Sequence, residues 1–171
     1  MQTHLPRRET FKPKSRIKPA AVSPAINLAT SRYSVLFKAT AAQRIQAIRR
    51  GVPAKVVARL VNDMGITNER LLKTLRFPLS TTKRRIAEDA HLPQELSERL
   101  VGLQKLIGQV EVMVAESGSP EGFNAAHWLA AWLENPAPAL DGVRPAEFMD
   151  TMEGQEMVSG LLAKMQSGAY A

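Results

Sequence analysis

The stretch LSERLVGLQKLIGQVEVMV, Leu96 to Val114, decides the fold. Its residues Leu96, Leu100, Leu103, Ile107, Val110 and Val114 recur at spacings of 4, 3, 4, 3 and 4. That spacing puts all six on one stripe of a helix, at the a and d positions of nearly three heptads. A strand would need alternation at every second residue, and none is present. The helix starts near Pro93, a good first-turn residue, and ends before the break at Gly118-Ser119-Pro120. Such a seam is either the spine of a core or a dimer interface. Three heptads are few, so the spine is the expectation.

Upstream, helix punctuation repeats on a shorter scale. Thr40 and Gln43 have capping-box spacing, Ile45 and Ile48 share a face, and Arg49-Arg50-Gly51 supplies a basic last turn and a terminating glycine. A helix starting around Pro53 carries Val56, Val57, Leu60, Val61 and Met64 and stops at Gly65. Thr67 caps a third through Leu71, Leu72 and Leu75, which Pro78 breaks; Ser80, Thr81 or Thr82 then caps a fourth. Residues 1–34 hold Pro6, Pro13, Pro19 and Pro24 among basic residues with no apolar period, and read as a disordered arm. Downstream, a helix with Phe123, Trp128, Leu129, Trp132 and Leu133 ends at Asn135-Pro136. Pro145 opens a short helix, and Thr151 caps a last one, whose apolar face is Val158, Leu161, Leu162 and Met165, before Gly168. With no strand pattern and no repeat, the expectation is all-α: a helical bundle with a disordered arm (1–34), a helix-turn-helix-like module with the long helix (35–116), and a C-terminal helical domain (117–171).

Charge divides the chain more sharply than hydrophobicity does. The net charge is +7 over 171 residues, but residues 1–34 carry +6, residues 35–109 carry +8 and residues 110–171 carry −7. The basic two-thirds can neutralise phosphates, while the acidic third would be repelled by them and should face another partner. There is no Cys, which removes thiol chemistry and fits a reducing cytoplasm. No run approaches a membrane span and no apolar leader is visible. His4, His91 and His127 lack metal-ligand spacing, and neither a nucleophile elbow nor a phosphate loop occurs. The chain is therefore expected to be no enzyme, with no metal and no cofactor.

One constellation points to nucleic acid. Ser80, Thr81, Thr82, Lys83, Arg84 and Arg85 open a short helix after a helix and a tight break. In a helix-turn-helix, the N-terminal residues of the second helix meet base edges and phosphates. Hydroxyls and a helix N-terminus suit phosphate, and Arg pairs bidentately with guanine. Trp128 and Trp132, at i and i+4, form one face that reads first as core and second as a contact surface.

The last fifty residues carry a series of short motifs in order: Trp132-Leu133, Asn135-Pro136, Leu140-Asp141-Gly142, Arg144-Pro145, Thr151-Met152-Glu153-Gly154 and Gly168-Ala169-Tyr170-Ala171. This order resembles the toxin-binding domain of the Xre/MbcA/ParS antitoxins, partners of RES-domain toxins. Arg50-Gly51-Val52-Pro53-Ala54 and the Ser80–Arg85 run resemble the Xre-like domain that precedes it, so the likeness covers about residues 45–171. Ser167 stands where the family often has His, and Asn135-Pro136-Ala137-Pro138 where it usually has Pro-Asn. The resemblance implies a type II antitoxin that neutralises a NAD-consuming toxin, with its C-terminal segment across the toxin's active-site entrance. Many such proteins also repress their own operon. By the same resemblance Trp132, Asn135, Leu140, Gly168, Ala169, Tyr170 and Ala171 contact the toxin, and operator DNA and a homodimer or higher toxin–antitoxin complex are further expected partners. A DNA-binding regulator without a toxin is the alternative, and a small NAD-linked enzyme a more distant one.

Overall fold

The computed structural model describes residues 26–118 and 120–168. Eight α-helices follow in order among them: α1 (Tyr33–Lys38), α2 (Ala41–Arg50), α3 (Val56–Met64), α4 (Asn68–Thr74), α5 (Leu79–Ala87), α6 (Gln94–Glu116), α7 (Ala125–Trp132) and α8 (Met152–Gln166). Two 3₁₀ turns, Pro138–Leu140 and Pro145–Phe148, shape the link from α7 to α8. No strand occurs among the described residues; one isolated antiparallel bridge joins Pro53 and His91.

Helix α6 is the spine. Leu96, Leu100, Leu103, Ile107 and Val110 are all buried. Burial extends beyond that stripe, however: from Leu100 to Val110 only Lys105 is not buried. Helices pack on several sides of α6, and two glycines admit the closest approaches. A Cβ at Gly108 would stand 2.1 Å from the Tyr33 carbonyl oxygen of α1. One at Gly102 would stand 1.6 Å from Oε1 of Gln155 on α8. Helix α8 runs parallel to α6, as its successive links show: Lys105 to Glu156 at 3.2 Å, Ser159 Oγ donating to Gln109 Oε1 at 2.7 Å, and Gln166 donating to Glu116 at 2.8 Å. One apolar core joins residues from both sides of the expected boundary at 117, with Leu60, Leu103, Leu129 and Leu162 all fully buried in it.

Local sequence signals set most helix ends. Thr40 and Gln43 form the complete capping box of α2, and Thr67 and Thr151 accept from the Arg70 and Gly154 amides. Gly65 ends α3 at φ 64°, with the Ile66 amide donating back to Val61. Three expectations are corrected. Helix α3 starts at Val56, because Pro53 and Ala54 are engaged in pairing with residues 90–92. None of Ser80, Thr81 and Thr82 caps α5; Pro78 is the N-cap and the hydroxyl residues lie within the helix. Ile45 faces outward at 45% exposure, and Ala47 takes the inner place in α2.

The expectation of a disordered arm over residues 1–34 is corrected for its last nine residues. Residues 1–25 lie outside the described residues, but residues 26–34 are packed, with Leu28 and Tyr33 buried. Five polar contacts draw this segment in, against the absence of apolar periodicity, one of them the Ser34 amide donating to Glu111 at 2.7 Å. Gln104 donates to the Leu28 carbonyl at 3.2 Å, and Arg59 donates to the carbonyls of Ala29 and Ser31, both at 2.9 Å. The Tyr33 hydroxyl donates to Asp63 at 2.5 Å, while the Arg59 guanidinium lies 4.7 Å from the ring centroid. Burial, then the Asp63 carboxylate, and last Glu111 push the Tyr33 phenol well above its ordinary value, with Arg59 opposing.

Candidate nucleic-acid and toxin-binding surfaces

Helices α3 and α4 meet across the tight turn Gly65-Ile66-Thr67, and α4 and α5 across the break at residues 75–78. Arg70 and Lys73 are exposed on α4, and Arg70 is drawn to Glu134 at 3.3 Å.

The six residues proposed on α5 separate into two groups. Ser80, Lys83 and Arg84 are exposed. Ser80 and Arg84 are four apart and share a face; Lys83 sits 3.8 Å from Glu69. Thr82 is fully buried, and its hydroxyl oxygen has no hydrogen-bond partner, so it cannot reach a ligand outside. Arg85 is half-buried and donates to the His91 carbonyl at 2.8 Å, tying the end of α5 to the chain before α6. Thr81 is half-buried. The packing of α5 turns Thr82 inward whatever its chemistry.

In the C-terminal part, Trp132 stacks on Trp128 with centroids 6.0 Å apart and planes 12° apart, and Phe123 lies 6.2 Å from Trp128. Both Trp side chains are half-buried and Phe123 is 40% exposed, so this aromatic row serves core and surface together. Leu140, expected at the surface, is buried with Ala137 and Leu161 in a small cluster against Trp132. Its apolar side chain holds the loop down. Asn135 is exposed beside it. Glu134 is the hub of this region, 3.3 Å from Arg70 and 3.2 Å from Arg144, which also reaches Glu147 at 3.2 Å. Arg76 and Asp150 add a link at 3.1 Å. Between α4 and this loop lies an open cleft of about 550 Å³, lined by Arg70, Lys73, Arg76, Arg144 and Glu147 among others. Met152 and Met157 expose 48% and 40% of their surface on α8, apolar contacts that the sequence pattern did not single out.

Gly168 closes α8 at φ 70° and is exposed. The other expected tail contacts, Ala169, Tyr170 and Ala171, lie outside the described residues. Among the described residues, no group of three or more His, Asp or Glu is placed to hold a metal ion, and no helix is long and apolar enough to cross a membrane.

Short basic helices are thus followed by an acidic stretch whose aromatic row, Phe123, Trp128 and Trp132, is partly exposed. Residues 43–105 match the antitoxin Xre-like helix-turn-helix domain, and residues 121–168 match the antitoxin Xre/MbcA/ParS C-terminal toxin-binding domain. The chain is 42% identical over 139 residues, 81% of its length and 87% of the relative's, to a Prs ADP-ribosylating antitoxin of Sphingobium sp. (strain YBL2). It belongs to the Xre/MbcA/ParS antitoxin family.

Proposed function

We propose that this antitoxin neutralises a RES-type toxin that consumes NAD, by laying its C-terminal tail across the toxin's active-site entrance. The observation that carries the reading is the end of α8. Gly168 turns the chain off the helix at a positive φ that costs glycine little, and the toxin-binding domain reaches that same residue. Three residues follow, including Tyr170, a large apolar anchor with one hydrogen-bonding tip. The Sphingobium relative is named an ADP-ribosylating antitoxin, which supports a partner toxin whose chemistry is ADP-ribose transfer. The exposed Asn135 and the outer edge of Trp132 would supply docking area beside the tail. The antitoxin itself acts without catalysis, in the cytoplasm, as a homodimer or in a larger toxin–antitoxin complex. It represses its own operon through the basic helices.

The test is co-expression with the toxin from the neighbouring gene, at matched levels of full-length protein and of protein ending at Ser167. The truncated form should still co-purify with toxin, yet cellular NAD should fall and growth should stop. Full protection by the truncated form would move neutralisation to the globular surface. Trp132→Ala should weaken co-purification itself.

A further inference from the structure

Within the helix-turn-helix domain, basic charge gathers at the end of α2 as well as on α5. Only one acid, Glu9, occurs before Asp63, against thirteen Lys and Arg residues. Among the described helices α1, α2 and α5 contain no carboxylate. Arg44 of α2 has a structural task, donating to the carbonyls of Phe37 and Ala39. Arg49 and Arg50 have none: both are exposed, and neither forms an ion pair among the described residues. Arg50 only approaches Gln46 of its own helix, at 3.5 Å.

Tertiary structure brings this helix end beside α5. The Ala54 amide donates to the Ala90 carbonyl at 2.9 Å, and the Leu92 amide to the Val52 carbonyl at 2.8 Å. A Cβ at Gly51, which ends α2, would stand 3.0 Å from Cβ of His91. Arg85, from the last turn of α5, donates to that same His91. Two acid-free helices thus finish at one edge. It gathers Arg49, Arg50, Lys55, Arg84 and Arg85; of the carboxylates near it, Asp89 lies 3.5 Å from Lys55, while Glu95 and Glu98 on the first turns of α6 are engaged by Arg99 and Gln94, and Glu88 remains. Helix-dipole complementarity would favour a cation in each last turn. It does not account for the absence of carboxylates along both helices, nor for the exposed Ile45 one turn before Arg49.

We propose that the α2–α5 edge is a second duplex-DNA contact, with Arg49 and Arg50 on the phosphate backbone beside the groove that Ser80 and Arg84 face. The proposal rests on reading the chain as a DNA-binding antitoxin and adds a face that the reading does not assign. The chemistry is sequence-independent: two guanidiniums displace condensed counterions, and Ile45 offers apolar contact to the sugar edge.

The experiment uses the full chain and a random-sequence DNA duplex of about 30 base pairs, with anisotropy read from about 50 to 300 mM KCl, a range over which phosphate contacts dominate the salt response. Arg49→Gln with Arg50→Gln should flatten the slope of log affinity against log salt by about 1.8, at about 0.9 per phosphate contact. Affinity near 0.1 M salt should fall at least tenfold, with helix content and melting temperature retained. Lys164→Gln, an exposed cation at the far end of α8, should leave both unchanged. An unaltered slope in the double variant overturns the proposal, as does an equal loss from Lys164→Gln. Tighter, equally sensitive binding of an RNA duplex overturns the choice of DNA. Failure of the helix-turn-helix reading is distinguishable: operator and random duplex would bind alike while the salt slope still depended on Arg49 and Arg50.

Discussion

Gly102→Ala should destabilise this protein in a way that a second substitution reverses. Gln155 of α8 is 4% exposed, and its amide donates to the carbonyls of Arg99 at 3.1 Å and Met149 at 2.8 Å. The amide crosses α6 directly over Gly102. The three atoms nearest a Cβ there all belong to Gln155, at 1.6, 2.8 and 3.4 Å. Adding that methyl group expels the amide. The Met149 carbonyl, fully buried with its residue, then loses its partner, at about 1–3 kcal/mol. Repacking adds about 1–3 kcal/mol, and the better helix propensity of Ala returns about 1 kcal/mol. The net cost is about 3 kcal/mol, a fall of roughly 6–12 °C in melting temperature for a chain of this length. With Gln155→Ala already in place the obstacle is gone, and Gly102→Ala should stabilise by about 0.5–1 kcal/mol. Urea unfolding of the four proteins, followed by circular dichroism, completes the cycle. The expected coupling is about 3–4 kcal/mol; a Gly102→Ala cost equal in both backgrounds to within about 0.5 kcal/mol would refute the argument.

Ser80→Ala with Arg84→Ala should lower operator affinity at least tenfold in an electrophoretic shift assay, since a bidentate base contact is worth about 1–3 kcal/mol. Thr82→Val, which changes only a buried hydroxyl, should leave that affinity intact, and a loss there would restore Thr82 to the interface. Tyr33→Phe should remove part of the alkaline loss of stability. The phenol's value is raised in the folded state, so its contribution is fully present below about pH 10 and declines as pH rises beyond, by at most about 1.4 kcal/mol per pH unit. Stability curves of the two proteins that run parallel between pH 9.5 and 11.5, values set by the tyrosine range of about 10 and above, would dissociate Tyr33 from that loss.

The sequence by itself determined whatever depends on residues close along the chain. Thr40 with Gln43, Thr67 and Thr151 mark helix starts because a cap is a contact over three residues. The seam from Leu96 to Val110 marks the spine because helical period alone places those side chains together. The motifs from Trp132 to Gly168 were legible in the same way, as local patterns in order. What the sequence could not decide turns on distant partners. Residues 26–34 look like a continuation of a Pro-rich basic arm, yet Gln104 and Arg59 satisfy their carbonyls from other helices. Ser80 to Arg85 form one polar string, but only the packing of α5 decides that Thr82 points inward while Ser80 and Arg84 point out. Leu140 could sit on a surface or beneath one, and contact with Trp132 and Leu161 places it beneath. The basic edge is likewise tertiary. Arg49 and Arg84 are 35 positions apart, and the pairing of Val52 and Ala54 with Leu92 and Ala90 brings their helix ends together. Charge can be counted along a chain, but the field a phosphate meets depends on which cations share a surface, and only packing settles that.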